Sequence, residues 1–355
     1  MIRPEVKQRL DGVVGACIAH ARQKHRSPLE PDIRRLSELF TTERGSRART
    51  YMRDPALRRA YLGFFVPHNV AKLVLLLEQL AQEALLALPD APRVWDVGAG
   101  PLTGCLAVFC VSGRLGPSYA IDVAETAMED GAKILAELGG GSVTRIGKSV
   151  TGPFGTWRPP EGADLVVAAN VLNELGDPRR ALPQRVELVS ACIESLRPQG
   201  RVLLVEPGTR VQGRALMAVR DALARTSDVR SPCCGAPSCP LLKTPGDWCH
   251  GELEWEPRPR EFVAMENAAQ LKKERVKSSH LLLARANEVT APATGVRLVG
   301  GLMRAHDAER RYGCGASGLV TLRGRPLLPP PLARPLRGAW APDAAVRGWL
   351  EPARR

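Results

Sequence analysis

The stretch "RVWDVGAGPLTG", which spans Arg93–Gly104, decides the fold of this chain. A short apolar run leads directly into closely spaced glycines, and this pattern predicts a buried strand followed by a tight turn. Glycine is needed where the backbone turns sharply and where a ligand lies against bare backbone. The stretch therefore predicts a ligand-binding loop at the end of a buried strand.

Further apolar runs follow this stretch, and helical patterns lie between them. The runs are "SYAIDV", "ADLVVAANVLNEL", "GRVLLVEPG" and "KSSHLLLARA". Residues 124–138 and 182–196 have the composition and spacing of helices. Because strands alternate with helices, the sequence predicts a parallel sheet with helices on both faces.

The glycine loop carries carboxylates that suit a cationic nucleoside. The spacing of Gly98, Gly100 and Gly104 departs from the GxGxxG of dinucleotide sites. Asp96, at the strand end, is unfavourable for a phosphate but suits the sulfonium and ammonium groups of S-adenosylmethionine (SAM). Asp122 ends the second strand, where a carboxylate can accept both ribose hydroxyls. We therefore expect these five residues to contact SAM.

Together these motifs resemble the class I SAM-dependent methyltransferases over about residues 90–210. The resemblance implies a Rossmann-like α/β core, and it places Asn170 and Asn173 at the catalytic-face motif, with Asn170 also facing the cofactor. Amino-methylating members usually carry Asn/Asp-Pro-Pro-aromatic there, whereas this chain has "NVLNEL". Glu174 and Glu206 are possible bases, but a capping or ion-pairing role explains each equally well.

The bulk composition indicates a folded protein with a polyanionic partner. The chain has 355 residues, which predicts one large domain with additions or two domains. A formal charge of +13 suits nucleic acid, although an arginine-rich coding bias would give the same surplus. No apolar run approaches the roughly 20 residues that span a bilayer, and the first residues lack the apolar core of a secretory signal. We therefore expect a cytoplasmic protein with no membrane partner.

Four of the nine cysteines lie between Ser231 and His250, in a Pro- and Gly-rich segment. In a reducing compartment, clustered thiols indicate metal ligation. Four thiolates suit zinc or an iron–sulfur cluster. The loose spacing favours a [4Fe-4S] cluster over zinc, while His250 keeps a Cys3His zinc site open. The predicted ligands are Cys233, Cys239, Cys249 and, from a distant glycine-flanked turn, Cys314.

Side chains of adjacent cysteines diverge, so Cys234 is left without a role. The remaining cysteines read as small core residues: Cys17, Cys105, Cys110 and Cys192.

The motifs "DVGAGPLTG", "NVLNEL", "LLVEPGT", "PC…CP…WCH" and "GCGASG" together resemble the methyltransferase-like protein 17 group and its bacterial Rsm-type relatives. These are assembly factors of the small ribosomal subunit, mitochondrial in the first case. The resemblance spans nearly the whole chain. It implies a SAM-methyltransferase fold, a four-cysteine [4Fe-4S] site and binding to small-subunit rRNA. A bacterial, cytoplasmic member is favoured over one of the mitochondrial matrix, because no clear transit peptide is seen.

Three regions are expected along the chain. Residues 1–90 form an N-terminal helical region. Residues 91–325 form the methyltransferase-like core with a small C-terminal β region, a cysteine-rich insertion at 230–252 and a late ligand loop at 312–318. Residues 326–355 form a Pro- and Arg-rich, extended tail. Within the first region, "YMRDPALRRAYLGFFVPHN" reads either as a basic, aromatic face for RNA or as a solvated amphipathic helix.

The main hypothesis is a SAM-dependent methyltransferase that binds small-subunit rRNA, acts in subunit assembly or translation and carries a structural [4Fe-4S] cluster. One alternative is a non-catalytic, rRNA-binding assembly factor that keeps SAM as a structural ligand. Another is a small-molecule methyltransferase with a zinc site. A monomer is expected in each case.

Overall fold

The computed structural model describes the chain in stretches that together make two units. The described residues are 2–23, 27–41, 51–150, 161–176, 181–233, 238–271, 275–286, 295–325, 327–329, 332 and 337–352. The first unit comprises Met1–Glu174 and Glu254–Val276, and the second comprises Leu175–Leu253 and Lys277–Arg355.

The first unit contains a four-stranded parallel sheet. Its strands are β1 (Val94–Val97), β2 (Ser118–Ile121), β3 (Val143–Ile146) and β4 (Ala163–Ala169). Their order is β3-β2-β1-β4. All four residues of β1 are buried, as expected for a central parallel strand covered on both faces. The predicted strand before the glycine loop is therefore confirmed as the centre of this sheet.

Helices make up the rest of the first unit. They are α1 (Pro4–Gln23), α2 (Glu30–Thr41), α3 (Pro55–Ala60), α4 (Val66–Gln82), α5 (Thr103–Ser112), α6 (Glu125–Glu137) and α9 (Arg260–Ala268). Apolar residues of α1 recur every three or four positions and are buried: Val6, Leu10, Val13, Val14, Cys17, Ile18 and Ala21. This stripe packs α1 against α4, α5 and α6. The helices α1–α4 lie within the region predicted to be helical, and they belong to the same unit as the glycine-loop sheet.

One continuous helical segment, Pro55–Gln82, contains a π-helical turn. Asp54 caps its start by accepting the N–H groups of Ala56 and Leu57. In the turn Tyr61–Phe65, the Val66 N–H bonds to the Tyr61 carbonyl, five residues back. Pro67 follows; it has no N–H to donate and its ring clashes with the carbonyl four residues earlier, so the turn widens.

By length and apolarity alone, Pro55–Gln82 could cross a bilayer, contrary to the expectation from the apolar runs in the sequence. However, 89% of its most apolar window is buried inside the protein. Its apolar side chains therefore serve the core of the first unit.

The second unit contains a mixed sheet. Its strands are β5 (Leu196–Pro207), β6 (Ser227–Ser231), β7 (Gly251–Leu253) and β8 (Val276–Arg285). Strand β8 lies between β5 and β6 and is antiparallel to both, and β7 pairs with β8. Helices α7 (Leu182–Glu194) and α8 (Arg210–Leu223) pack against β5. Class I SAM-dependent methyltransferases have parallel strands in the order 3-2-1-4 and, after them, strands with one antiparallel strand inserted. This chain has both features, so the predicted class I fold is confirmed.

A second, antiparallel sheet completes the second unit. Its strands are β9 (Gly295–Leu298), β10 (Met303–Ala305), β11 (Ala308–Gly315), β12 (Gly318–Gly324), β13 (Trp340–Pro342) and β14 (Leu350–Pro352). The order is β13-β9-β11-β12-β14, with β10 on β11. The short helix α10 (Asp343–Val346) packs against β9 and β13. The small C-terminal β region is thus present.

The extended tail predicted for residues 326–355 is wrong for the described part of that segment. Strands β13 and β14 and helix α10 all lie in it. Leu328, Leu332, Ala341 and Val346 are buried in the core of the second sheet. The pairing of these three-residue strands depends on residues far away in the chain, and the prolines around them masked any local strand pattern.

Candidate cofactor site and cysteine cavity

The glycine loop connects β1 to α5 along the carboxyl edge of the parallel sheet. Gly98 and Gly100 have φ values of 65° and 50°, in the left-handed region that glycine tolerates. The N–H groups of Gly98 and Ala99 both donate to the Ile121 carbonyl, at 2.8 and 3.1 Å. The loop is therefore held against the end of β2, the edge at which Rossmann-like folds bind ligands.

Asp122 joins the glycine loop to the start of α6. One carboxylate oxygen accepts the Gly100 N–H at 2.9 Å, and the other accepts the Ala124 N–H at 2.8 Å. The side chain is only half-buried, and each oxygen keeps a free lone-pair direction. Asp122 is thus fixed in place but open to a diol.

Asp96 points into the protein. It is 2% exposed, and its carboxylate accepts the Cys105 N–H at 3.0 Å, near the N-terminus of α5. Burial raises its pKa to about 7, against the lowering by the backbone N–H groups of Cys105 and Gly104. A Cβ on Gly104 would lie 2.6 Å from the Asp96 carboxylate, so this glycine makes room for Asp96. The sequence suggested that both residues face a ligand, whereas here they face each other.

Asn170 and Asn173 form a turn at the end of β4. Asn170 has a φ of 61°, and its carbonyl accepts a hydrogen bond from Nδ2 of Asn173 at 2.9 Å. Both side chains are half-buried, and Glu174 beside them is exposed. Glu206 lies in the other unit, on β5, and is 2% exposed. The two asparagines are therefore brought to the edge that carries the glycine loop, and Asn173 helps to fix the turn.

An aromatic group that sequence reasoning did not place in the site lies at this edge. Tyr51 and Tyr61 have ring centroids 5.4 Å apart, and both pack against Phe40. Burial raises the pKa of both tyrosines, and the nearby carboxylates of Glu174 and Asp122 raise them further. The spacing of tyrosines on either side of "DPALRRA" was visible in the sequence, but not which way they point.

The side chains of Arg58, Arg59 and His68 pack within the first unit, which departs from both the RNA-face and the solvated-helix interpretations of the Tyr51–His68 segment. The Arg58 guanidinium lies 3.6 Å from the Asp130 carboxylate, and Arg59 is 6% exposed and pairs with Asp32 at 3.4 Å. His68 is 8% exposed. These side chains are used in packing within the first unit.

The second unit brings the four predicted cysteine ligands together. Cys233, Cys239, Cys249 and Cys314 line one cavity. Burial raises the pKa of the Cys249 thiol well above its ordinary value, and the nearness of the other three thiols raises it further. The cavity is lined by apolar side chains and by four polar or charged ones. The apolar residues include Leu216, Met217, Leu241 and Val299, and the others are Arg220, Ser279, His280 and Arg297. Cys314 thus meets three cysteines that lie 65 or more positions earlier in the chain.

Comparison with known proteins identifies the family. A family model described as "Mitochondrial small ribosomal subunit Rsm22" matches residues 57–304. The chain belongs to the Rsm22 family. No curated protein matches the chain.

Solved structures that resemble this Rsm22-family protein are distant. An rRNA methylase from Streptococcus thermophilus is 14% identical, with a TM-score of 0.33, covering 61% of this chain and 93% of that one. A SAM-dependent methyltransferase from Geobacter sulfurreducens, in complex with S-adenosyl-L-homocysteine, is 15% identical, with a TM-score of 0.36, covering 60% and 90%. A ribosomal protein L11 methylase from Lactobacillus delbrueckii subsp. bulgaricus is 16% identical, with a TM-score of 0.33, covering 61% and 77%. The fold assignment rests on the strand order and not on these likenesses.

An ion pair between Arg220 and Asp221 contacts two of the predicted cysteine ligands in this Rsm22-family protein. Arg220 is 3% exposed, hydrogen-bonds the Cys233 thiol and pairs with Asp221 at 2.8 Å. The Asp221 carboxylate accepts the Cys239 N–H at 2.8 Å. Burial raises the pKa of the Cys233 thiol, and Arg220 opposes this rise. A buried guanidinium beside the thiols favours a negatively charged sulfur centre.

The described residues show a metal site of neither predicted kind, zinc or cluster, and the His250 side chain is engaged elsewhere. The His250 ring stacks on Trp248, with centroids 5.0 Å apart, and Nη1 of Arg337 lies 2.9 Å from its Nε2. Among the described residues that line the cavity, His250 does not occur. No three His, Cys, Asp or Glu side chains of the described stretches are arranged to hold one metal ion. Cys234 lies outside the described residues.

The remaining cysteines behave as the sequence suggested. Cys17, Cys105, Cys110 and Cys192 are fully buried in helices. They are therefore confirmed as small core residues.

Proposed function

We propose that this protein is a SAM-dependent methyltransferase of the small ribosomal subunit, which binds subunit rRNA and carries a [4Fe-4S] cluster. The observation that carries the proposal is the match to the Rsm22 family over residues 57–304. In this chain the glycine loop and Asp122 lie at the ligand edge of a methyltransferase sheet. The formal charge of +13 supports a phosphate-rich partner.

The residues of the first unit fit SAM. Asp122 is fixed, half-buried and able to accept the two ribose hydroxyls, and Gly98 and Gly100 leave bare backbone beside it. Asn170 borders the same edge from β4. When bound, SAM supplies an electrophilic methyl group. Asp96 acts through α5 and the loop, as a positioning residue, because its carboxylate is enclosed.

The residues of the cysteine cavity fit an iron–sulfur cluster better than one zinc ion. The four cysteines are widely spaced in the chain, whereas structural zinc sites usually pair closely spaced cysteines. Arg220 and Arg297 offset the negative charge of four thiolates. A cluster held this way would fix the Pro- and Gly-rich loop that carries three of the cysteines.

The cluster is tested by anaerobic purification of the full chain with iron, sulfide and zinc analysis and a visible spectrum. We expect iron and sulfide in equal amounts, and their loss in Cys239→Ser. Cys192→Ser is the matched control, because Cys192 is equally buried but lies in α7. A colourless protein with one zinc per chain would contradict the iron assignment.

Methyl transfer is tested by mapping methylated nucleotides of small-subunit rRNA in cells that lack the protein. We expect one mark to disappear and to be restored by the wild type but not by Asp122→Ala. The use of the Asn173 amide within its own turn favours a second candidate, a non-catalytic assembly factor that keeps SAM as a structural ligand. An unchanged methylation map with a subunit-assembly defect would select that candidate.

A further inference from the structure

The second sheet presents alternating faces along β11. Glu309 and Arg311 are buried, whereas Arg310 and Tyr312 are exposed, the latter to 40%. Successive side chains of a strand point to opposite faces. Arg310 and Tyr312 therefore share the face that does not cover the core of this sheet.

Neighbouring strands add matching side chains to this face. Arg310 pairs in register with Arg323 on β12 and with Met303 on β10, and Tyr312 pairs with Thr321. Residues directly opposite in an antiparallel pair lie on the same face. We call the face formed by these five residues the β11 face. It combines an exposed ring and an exposed methionine, itself 40% exposed, with two guanidinium groups.

The arginine pair on the β11 face places two positive charges directly opposite each other. Like charges directly opposite each other in a sheet are destabilising. Asp307, 67% exposed at the side chain, lies 3.2 Å from Arg323 and is the acidic partner at this rim. Arg310 makes no ion pair with any residue of the described stretches. An anion bound between Arg310 and Arg323 would turn the repulsion into attraction.

The β11 face ends at the cysteine cavity. Cys314 lies two residues beyond Tyr312 on the same strand and pairs in register with Leu319 and Arg297. Cys314 and Arg297 both line the cavity. A group bound by the four thiols would therefore also fix one end of β11.

We propose that the β11 face binds single-stranded RNA. In this arrangement Tyr312 stacks on a base while Arg310, directly opposite Arg323, contacts the adjacent phosphate. The inference rests on the proposed function, since it names the surface of an RNA-binding protein. Residues 295–352 contain nine arginines and four acidic residues. The surplus of arginine persists without Arg297 and Arg311, which are buried, and it favours a polyanion over a protein partner. Stacking on aromatic side chains of a sheet is how single-stranded RNA is commonly held.

The test is a titration of the full chain into a fluorescein-labelled, 12-nucleotide single strand of mixed sequence, read by anisotropy at several salt concentrations. Tyr312→Ala is expected to weaken binding by about 5- to 150-fold, and Tyr312→Phe, which keeps the ring, by less than about twofold. Arg310→Ala is expected to weaken binding and to reduce the salt slope by about 0.7. Arg225→Ala, an exposed arginine after α8, is the matched charge control and should leave binding unchanged.

The outcomes separate this inference from the proposed function. Ultraviolet crosslinking in cells asks whether the wild type recovers rRNA, and the same variants are then compared, with far-UV circular dichroism and iron content as checks of folding. If the wild type recovers rRNA and Tyr312→Ala and Arg310→Ala recover it equally, the β11 face is not the RNA surface and only this inference falls. If no rRNA is crosslinked to the wild-type protein, the proposed rRNA partner is contradicted as well. Loss of rRNA in both variants, with normal folding, supports the assignment.

Discussion

Replacing Gly98 with alanine should damage the cofactor loop through two separable costs. Gly98 has a φ of 65°, and a Cβ built there would lie 2.3 Å from Cγ2 of Val171. Val171 is 4% exposed, so its side chain has little room to move away. The substitution therefore adds backbone strain and a steric clash at the point where β1 enters the loop.

The magnitude follows from these two costs. An L-residue in the left-handed region loses roughly 1–2 kcal/mol. Forcing an extra methyl into a packed site costs about 1–3 kcal/mol. We expect Gly98→Ala to lower the free energy of unfolding by about 2–5 kcal/mol, and to weaken SAM binding because the loop must shift.

Two variants separate the costs. Gly139 has a φ of 74°, and no heavy atom lies within 4 Å of the position that a Cβ would take there, so Gly139→Ala should show only the backbone cost of about 1–2 kcal/mol. Val171→Ala in the Gly98→Ala background removes the clashing methyl and should recover the steric cost, as a favourable coupling in a double-mutant cycle.

The assay is urea denaturation followed by far-UV circular dichroism, with SAM binding measured by calorimetry on the same preparations. If Gly98→Ala is no more destabilising than Gly139→Ala, or if Val171→Ala gives no coupling, the packing of the loop against β4 is not as the structure has it.

Two further predictions concern buried groups of the first unit. Burial raises the pKa of Asp96 from 3.8 to about 7, so the folded state holds more protons than the unfolded state between these pH values. The free energy of unfolding should therefore fall as the pH rises from 3.8 to 7, by at most about 4 kcal/mol. Urea denaturation at pH 5 and pH 8 should show this fall in the wild type and a flatter dependence in Asp96→Asn; equal slopes would contradict the assignment. Phe64 is fully buried and stacks on Phe262 at 5.1 Å, so Phe64→Ala should cost about 3–5 kcal/mol, whereas Leu327→Ala, at a side chain 63% exposed, should stay within about 0.5 kcal/mol. A thermal-denaturation comparison in which these two variants behave alike would show that the aromatic stack does not contribute.

The fold was largely predictable because its signals are local. The apolar run before Gly98 and the alternation of strands with helices identify the class without any contact information. The chemistry of the loop was readable for the same reason, since glycine spacing and the strand-end position of Asp122 lie within about 30 residues of sequence.

Orientation was not predictable. The sequence places Asp96 at a strand end, but only the packed helix α5 turns it inward, towards the N–H of Cys105. Tyr51 and Tyr61 flank an arginine-rich segment that reads as a surface, and the π-helical turn before Pro67 directs Tyr61 towards Phe40 and Tyr51 instead.

Sequence alone therefore determined which chemical groups this protein has: a glycine loop with acidic neighbours, a thiol-rich segment and a large arginine surplus. Only the tertiary structure decided which of them meet. It joins Cys314 to a loop more than 60 residues earlier, and it sets Arg310 opposite Arg323 beside an exposed Tyr312. The physical reason is that residue type fixes what a group can bind, whereas the direction and neighbours of a side chain are fixed by contacts between segments far apart in the chain.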